Sequence, residues 1–269
     1  MTRVLITGGT GMLGRELRSR LLAKGYGVRI MSRRAPRSGE GAGVEWAQAS
    51  LEKGVSLAEA VNGAEVVIHA ASSPANRRVD VDGTARLLDQ ARAAGVHHFI
   101  YISIVGIDQI GYSYYQHKLA AERLIEASGL SWSILRATQF HYLVDKLLHM
   151  LTRLPLAFIP AGWQFQSISA ADVAEQLVAA VRQGPGKNGR LPDIGGPELL
   201  RLDDMARSWL TMRNMRRLIV PVPIPGKLSA GFRQGLNTVP HNPAGRTTWA
   251  AWLTARYANP ARRDAALVR

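Results

Sequence analysis

The chain has 269 residues, enough for one α/β domain with a smaller appended lobe, and its 46% hydrophobic and 20% charged content excludes a disordered or collagen-like protein. It has no cysteine, which rules out disulfides, thiolate metal sites and a cysteine nucleophile. The 34 basic and 20 acidic residues give a net charge of +14, but the arginines stand singly or in pairs (Arg33-Arg34, Arg77-Arg78, Arg216-Arg217, Arg262-Arg263), without a long basic run or interleaved aromatics, so no nucleic-acid partner is expected.

The N-terminus lacks the long apolar region and cleavage site of a signal peptide, and Asp145, Lys146 and Arg153 interrupt the longest candidate span at 142–160. A cytoplasmic protein with no membrane partner is the expectation. In chain order, apolar strand-like runs at 4–7, 28–32, 44–47, 66–70, 99–103 and 132–135 alternate with amphipathic segments. The first amphipathic segment sets Leu13, Leu17 and Leu21 four apart and stops at Gly25; others span 82–94, ending at Gly95, and 114–128, ending at Gly129. This alternation predicts a doubly wound parallel sheet of the Rossmann type. After residue 137 the order changes: helical patterns at 141–153 and 170–182 flank Pro155 and Pro160, and Pro221, Pro223 and Pro225 interrupt the last quarter. Residues 1–140, with later contributions from about 164–195, are therefore expected to form the nucleotide-binding domain, and 141–269 mainly a smaller substrate lobe.

The first strand-to-helix turn reads Thr7-Gly8-Gly9-Thr10-Gly11-Met12-Leu13-Gly14. Glycines at 8, 11 and 14 permit a tight turn, close approach of backbone N–H groups to a pyrophosphate and close helix-on-strand packing, so this turn, with Thr10, Met12 and Leu13, predicts a dinucleotide site. At the end of the second strand stands Ser32-Arg33-Arg34, with no acid before Glu40. Two guanidiniums there favour the 2′-phosphate of NADP over the free hydroxyl of NAD.

Together, the glycine turn, the run Val66-Val67-Ile68-His69-Ala70-Ala71, the run Tyr101-Ile102-Ser103 and the pair Tyr114 and Lys118 resemble the short-chain dehydrogenase/reductase superfamily, nearest to its extended and atypical branches, which include the NmrA-like proteins. Leu135-Arg136-Ala137-Thr138-Gln139-Phe140 and Ile168-Ser169-Ala170-Ala171-Asp172-Val173-Ala174 extend the resemblance over most of residues 1–195. It implies that Tyr114 exchanges a proton with the substrate oxygen, that Lys118 holds the nicotinamide ribose and lowers the tyrosine pKa, and that Ser103 hydrogen-bonds the same oxygen. It further implies cofactor contacts from Ser50, Ala70, Ala71 and Ser72. Two features depart from the pattern: only 11 positions separate Ser103 from Tyr114, and Ala49-Ser50-Leu51 lacks the aspartate usual near the adenine.

The seven histidines do not pair at metal-ligand spacing, so no metal is expected. Gln139 and His141, just past the sixth strand, are the candidate pocket residues. The apolar series Tyr142, Leu143, Leu147, Leu151 and Leu154 suits an apolar or aromatic substrate. Two activities fit: an NADPH-dependent oxidoreductase reducing a hydrophobic ketone, quinone or similar molecule, as monomer or homodimer, or a redox-inert NADP(H)-binding sensor or assembly factor.

Overall fold

A computed structural model describes residues 1–74, 76–186 and 189–258; the pair Arg262-Arg263 lies outside the described residues. The first half reads β1 (Arg3–Thr7), α1 (Met12–Ala23), β2 (Gly27–Ser32), β3 (Glu45–Gln48), α2 (Leu57–Val61), β4 (Val66–His69), α3 (Gly83–Ala93), β5 (His98–Ile104), α4 (Ser113–Glu126) and β6 (Trp132–Ala137). A π-helical turn, Arg78–Asp82, leads into α3. The second half holds α5 (His141–Leu151), β7 (Leu156–Pro160), β8 (Gln164–Phe165), α6 (Ala170–Gln183), β9 (Leu200–Arg201), α7 (Leu202–Met212), β10 (Leu218–Val222), α8 (Lys227–Arg233) and α9 (Trp249–Tyr257).

The chain divides into two compact units, one of residues Met1–Asp108, Tyr112–Arg136 and Val173–Pro192, the other of Gln109–Gly111, Ala137–Asp172 and Asp193–Arg269. The main sheet runs β3-β2-β1-β4-β5-β6, the Rossmann strand order, and β1 lies parallel to both β2 and β4. Near-continuous apolar strands are what a sheet covered on both faces requires. Leu5, Val67, Phe99 and Tyr101 pack with Leu57, Ala60, Leu87, Leu88, Ala121 and Ile125 of α2, α3 and α4. By the two-residue strand period, Val4, Ile6, Ile68 and Ile100 point to the other face, where Leu13, Leu17 and Leu21 of α1 are buried. The chain order reverses between β1 and β4, which opens a crevice at their carboxyl ends.

In the second unit the proline tract separates β10 from α8, with Pro223 and Pro225 between the two elements, but its first member does not break the strand. Pro221 lies inside β10, in register with Ile159 of β7. A strand that pairs on one side only can turn a missing N–H outward, so proline is tolerated there. α7 buries Leu202, Met205, Ala206, Trp209 and Leu210, a three-and-four spacing.

Three buried imidazoles make the protein acid-sensitive. Burial pushes His69 down to about 3, His98 to about 4 and His141 to about 4, from an ordinary value near 6.5. Because the folded values are depressed, the unfolded chain takes up protons first. Stability is then full above pH 6.5 and is lost as the pH falls towards 4. Denaturant titrations should show a loss on the order of 5 kcal/mol between pH 7.5 and 5. A flat profile over that range would contradict this assignment of the imidazoles.

Candidate functional site

The site is built at the carboxyl ends of β1, β4 and β5. Gly8 has φ of 69°, a left-handed conformation that favours glycine, and a Cβ there would stand 2.8 Å from the Ala70 carbonyl oxygen and the Ala71 backbone. The glycine turn and the segment after β4 therefore touch directly. A Cβ on Gly14 would fall 2.3 Å from the Gly8 carbonyl oxygen, whereas one on Gly11 would meet only that oxygen, at 3.2 Å. Gly14 is thus a packing position, whereas Gly11 has a single close neighbour. Gly11 caps α1 with no side-chain hydrogen bond, and the first turn carries no acidic residue. The unsatisfied N–H groups and positive end of this helix fit an anionic pyrophosphate, with Thr10, Met12 and Leu13 on the same turn.

A hydrogen-bonded chain locks the crevice floor. The Ala71 N–H donates to Thr7 Oγ1 at 3.1 Å, and Thr7 Oγ1 lies 2.7 Å from His69 Nδ1. On the other side of the ring, His69 Nε2 lies 2.9 Å from Thr84 Oγ1, whose hydroxyl donates to the Asp80 carbonyl at 2.7 Å. These partners place the imidazole proton on Nε2, in keeping with a ring kept neutral by burial and by the nearby Lys118 ammonium.

The buried Asp80 carboxylate accepts from the Ser72 hydroxyl at 2.7 Å and from the Ser73 N–H at 3.1 Å. Ser72 Oγ is also 2.8 Å from the Tyr114 hydroxyl. Since Ser72 spends its proton on Asp80, Tyr114 is the donor of that bond. Neither Asp80 nor the π-helical turn that carries it was legible from spacing.

Lys118, one helical turn beyond Tyr114, is buried at 3% exposure. Its Nζ donates to the Ile102 carbonyl at 2.7 Å and lies 4.0 Å from the centre of the Tyr101 ring. Burial pulls its pKa down to about 8, against the opposing pull of Asp80 and Glu122. Ser103 lies in β5, one residue before its end. Strand alternation sets it on the same face as Tyr101, buried at 2%, and its hydroxyl has no partner of hydrogen-bond geometry among the described residues. The hydroxyl that meets Tyr114 is that of Ser72. Near Ser103 lies Glu122, for which burial opposes ionisation, but Arg136, the Ser103 hydroxyl and Arg190 outweigh it and hold the carboxyl below the usual range. Arg136 grips Glu122 with two bonds of 2.9 and 2.7 Å.

The two arginines after β2 are not equivalent. Arg34 forms a two-pronged pair with Glu40, at 2.6 and 2.9 Å, and also lies over the Trp46 ring. That pair, with the Arg37 N–H, holds Glu40 down to about 2. Arg33 is exposed, and among the described residues no carboxylate pairs with it in the way Glu40 pairs with Arg34. Ser32 Oγ accepts the Arg34 N–H at 3.3 Å, and Ser50, half-buried, accepts the Lys53 N–H at 3.3 Å.

In the second unit, His141, an expected pocket residue, lies in the core. It is 1% exposed, its Nδ1 lies 2.8 Å from Ser167 Oγ and its Nε2 lies 3.0 Å from the Thr247 carbonyl. Both ring nitrogens are engaged, which leaves no edge for a ligand. Gln139 is half-buried and its Oε1 accepts from Asn237 Nδ2 at 3.2 Å. Among the described residues no three His, Asp or Glu side chains gather as metal ligands, and no helix is long and apolar enough to cross a membrane.

Comparison with known proteins adds four findings. A family model described as NAD(P)H-binding matches residues 8–184. An uncharacterised protein of Mycobacterium tuberculosis is 29% identical over 184 residues, 66% of this chain but 20% of its own length, so the chain spans about a fifth of that relative. The ceramide reductase of Caulobacter vibrioides is 29% identical over 254 residues, 85% of this chain and 76% of that protein. In fold, the chain matches the NADPH-dependent quinone oxidoreductase QOR2 of Escherichia coli in complex with NADPH, with a TM-score of 0.78 at 18% identity, over 94% of this chain and 99% of the other.

Proposed function

We propose, for a chain that belongs to the NAD(P)H-binding family and has the fold of the short-chain dehydrogenase/reductase superfamily, that it is an NADPH-dependent oxidoreductase reducing a hydrophobic ketone, quinone or similar small molecule. The observation that carries this reading is the Tyr114 hydroxyl, hydrogen-bonded to Ser72 at the carboxyl end of β4 and one turn ahead of Lys118. The first unit serves the cofactor, with the pyrophosphate over the turn of Gly8 and Gly11, which Gly14 lets α1 pack against, and the adenine end towards Ser32, Arg33, Arg34 and Ser50; the second serves the substrate, with Gln139 as a pocket residue.

When bound, the nicotinamide supplies hydride chemistry. Tyr114 gives its proton to the substrate oxygen, Ser72 and Asp80 hold the phenol in place, and the Lys118 charge eases formation of the phenolate. The relative from Caulobacter is named for reduction of ceramide, an apolar compound, which supports an apolar substrate here. Steady-state NADPH oxidation against a panel of quinones and of long-chain and aromatic ketones tests the reading. Turnover of one of them supports the enzyme; tight NADPH binding with no turnover on any supports a redox-inert sensor instead.

NADPH should bind roughly tenfold or more tightly than NADH, and the preference should shrink as salt rises. Because Glu40 already holds Arg34, Arg33→Ala should cost more of that preference than Arg34→Ala. Fluorescence titrations giving equal affinity for the two cofactors would overturn the NADP assignment.

A further inference from the structure

One surface of the second unit has no part in the reading above. The chain has no Asp or Glu at all in residues 146–171 or 205–263, although ten of the arginines and lysines fall in the second stretch. These stretches include β7 and β10, which pair in parallel with Leu156 beside Leu218 and Phe158 beside Val220. Register partners share a face, and the alternate residues Ala157 and Ile159 are fully buried. The opposite face is left to water: Leu156 is 45% exposed, Phe158 50% and Leu218 65%, and Leu154, just ahead of β7, is 64% exposed. The Leu218 N–H donates to the Pro155 carbonyl at 3.1 Å, which brings the two strand starts together. Arg153 and Arg216 are exposed at that end, and Arg217 lies beside them with its Nε 3.4 Å from the Thr152 carbonyl.

Apolar side chains standing on a two-stranded face, with guanidiniums at one end and no carboxylate nearby in the sequence, call for a partner both greasy and negative. A second copy meets the first requirement and fails the second, because it brings the same apolar and basic side chains and no carboxylate from these strands. We propose that the outer face of β7 and β10 docks the protein on an anionic lipid surface. Leu154, Leu156, Phe158 and Leu218 enter the boundary between headgroups and acyl chains, and Arg153, Arg216 and Arg217 pair with lipid phosphates. The expectation of no membrane partner came from the lack of a spanning segment, and surface docking needs none. This inference is independent of the catalytic one, but it places the protein where an apolar substrate dissolves.

The full-length chain should co-sediment with vesicles of phosphatidylcholine containing about a third phosphatidylglycerol, less so at high salt, and not with phosphatidylcholine alone. Arg153→Gln, Arg216→Gln and Arg217→Gln combined should weaken partitioning by about a hundredfold, at about fivefold per charge, and Leu156→Ser with Leu218→Ser should abolish it. Thermal unfolding checks that each variant folds. Arg92→Gln, Arg123→Gln and Arg182→Gln combined remove the same charge elsewhere and should bind as the native chain does. Failure to bind the mixed vesicles, or equal loss in both triple variants, overturns the proposal. So does retention on polyglutamate beads without vesicle binding, which would assign the face to an acidic protein, or a dimer dispersed by Leu218→Ser, which would assign it to a second copy.

Discussion

Tyr114→Phe is expected to lower turnover of a verified substrate by roughly a hundredfold or more while leaving NADPH affinity nearly unchanged. The substitution keeps the ring, which packs against Tyr112 and Tyr115, and removes only the hydroxyl that donates to Ser72. Lys118→Ala should behave differently, because it removes a charge buried between the Tyr101 ring and the Ile102 carbonyl. Both cofactor affinity and turnover should fall. With the lysine held at about 8, native turnover should also decline as the pH rises through that value and the ammonium loses its proton. A Tyr114→Phe protein working at the native rate would defeat the assignment of the proton donor and direct attention to hydride transfer that takes its proton from water.

The second large effect separates two glycines of one turn. Gly11→Val should abolish cofactor binding in a protein that still folds. Its φ of −75° and ψ of 178° suit valine, and its Cβ would meet only the Gly8 carbonyl oxygen, so the added methyls occupy the volume assigned to the phosphates. Gly14→Val should instead destabilise the fold itself. Its Cβ would sit 2.3 Å from that oxygen and 2.5 Å from the Gly9 Cα, so α1 must lift off the turn, at a cost of about 1–3 kcal/mol or more. Isothermal titration with NADPH, paired with thermal melts, reads both. A folded Gly11→Val protein that binds normally would mean that this glycine serves the turn alone.

How legible each of these positions was depended on the range of the interaction behind it. The six strands of the main sheet and the helices α1, α3, α4, α5 and α6 follow from local periodicity, and their observed limits lie within a few residues of the expected ones. The glycine turn was equally plain, since one strand, three glycines and one helix are contiguous in the chain. The short strands of the second unit were not, because β7 and β10 are made by pairing segments some sixty residues apart, and β10 contains a proline that reads locally as a break.

For the candidate site, the sequence alone determined the residue types and the spacing of four between Tyr114 and Lys118, which a helix converts into a shared face. Which hydroxyl meets the tyrosine was decided by tertiary structure. Ser103 lies near the end of β5 and Ser72 follows β4, both at the crevice, but the alternation of β5 turns Ser103 towards Glu122, while Asp80, delivered by the π-helical turn, draws Ser72 to Tyr114. The same holds for Arg34, whose partner Glu40 lies on a returning loop, and for His141, whose two nitrogens meet Ser167 and Thr247, the latter 106 residues away. Local sequence sets backbone conformation and the face on which a side chain stands. The partners that satisfy a buried polar group come from whatever the fold brings across, and no spacing in the chain encodes them.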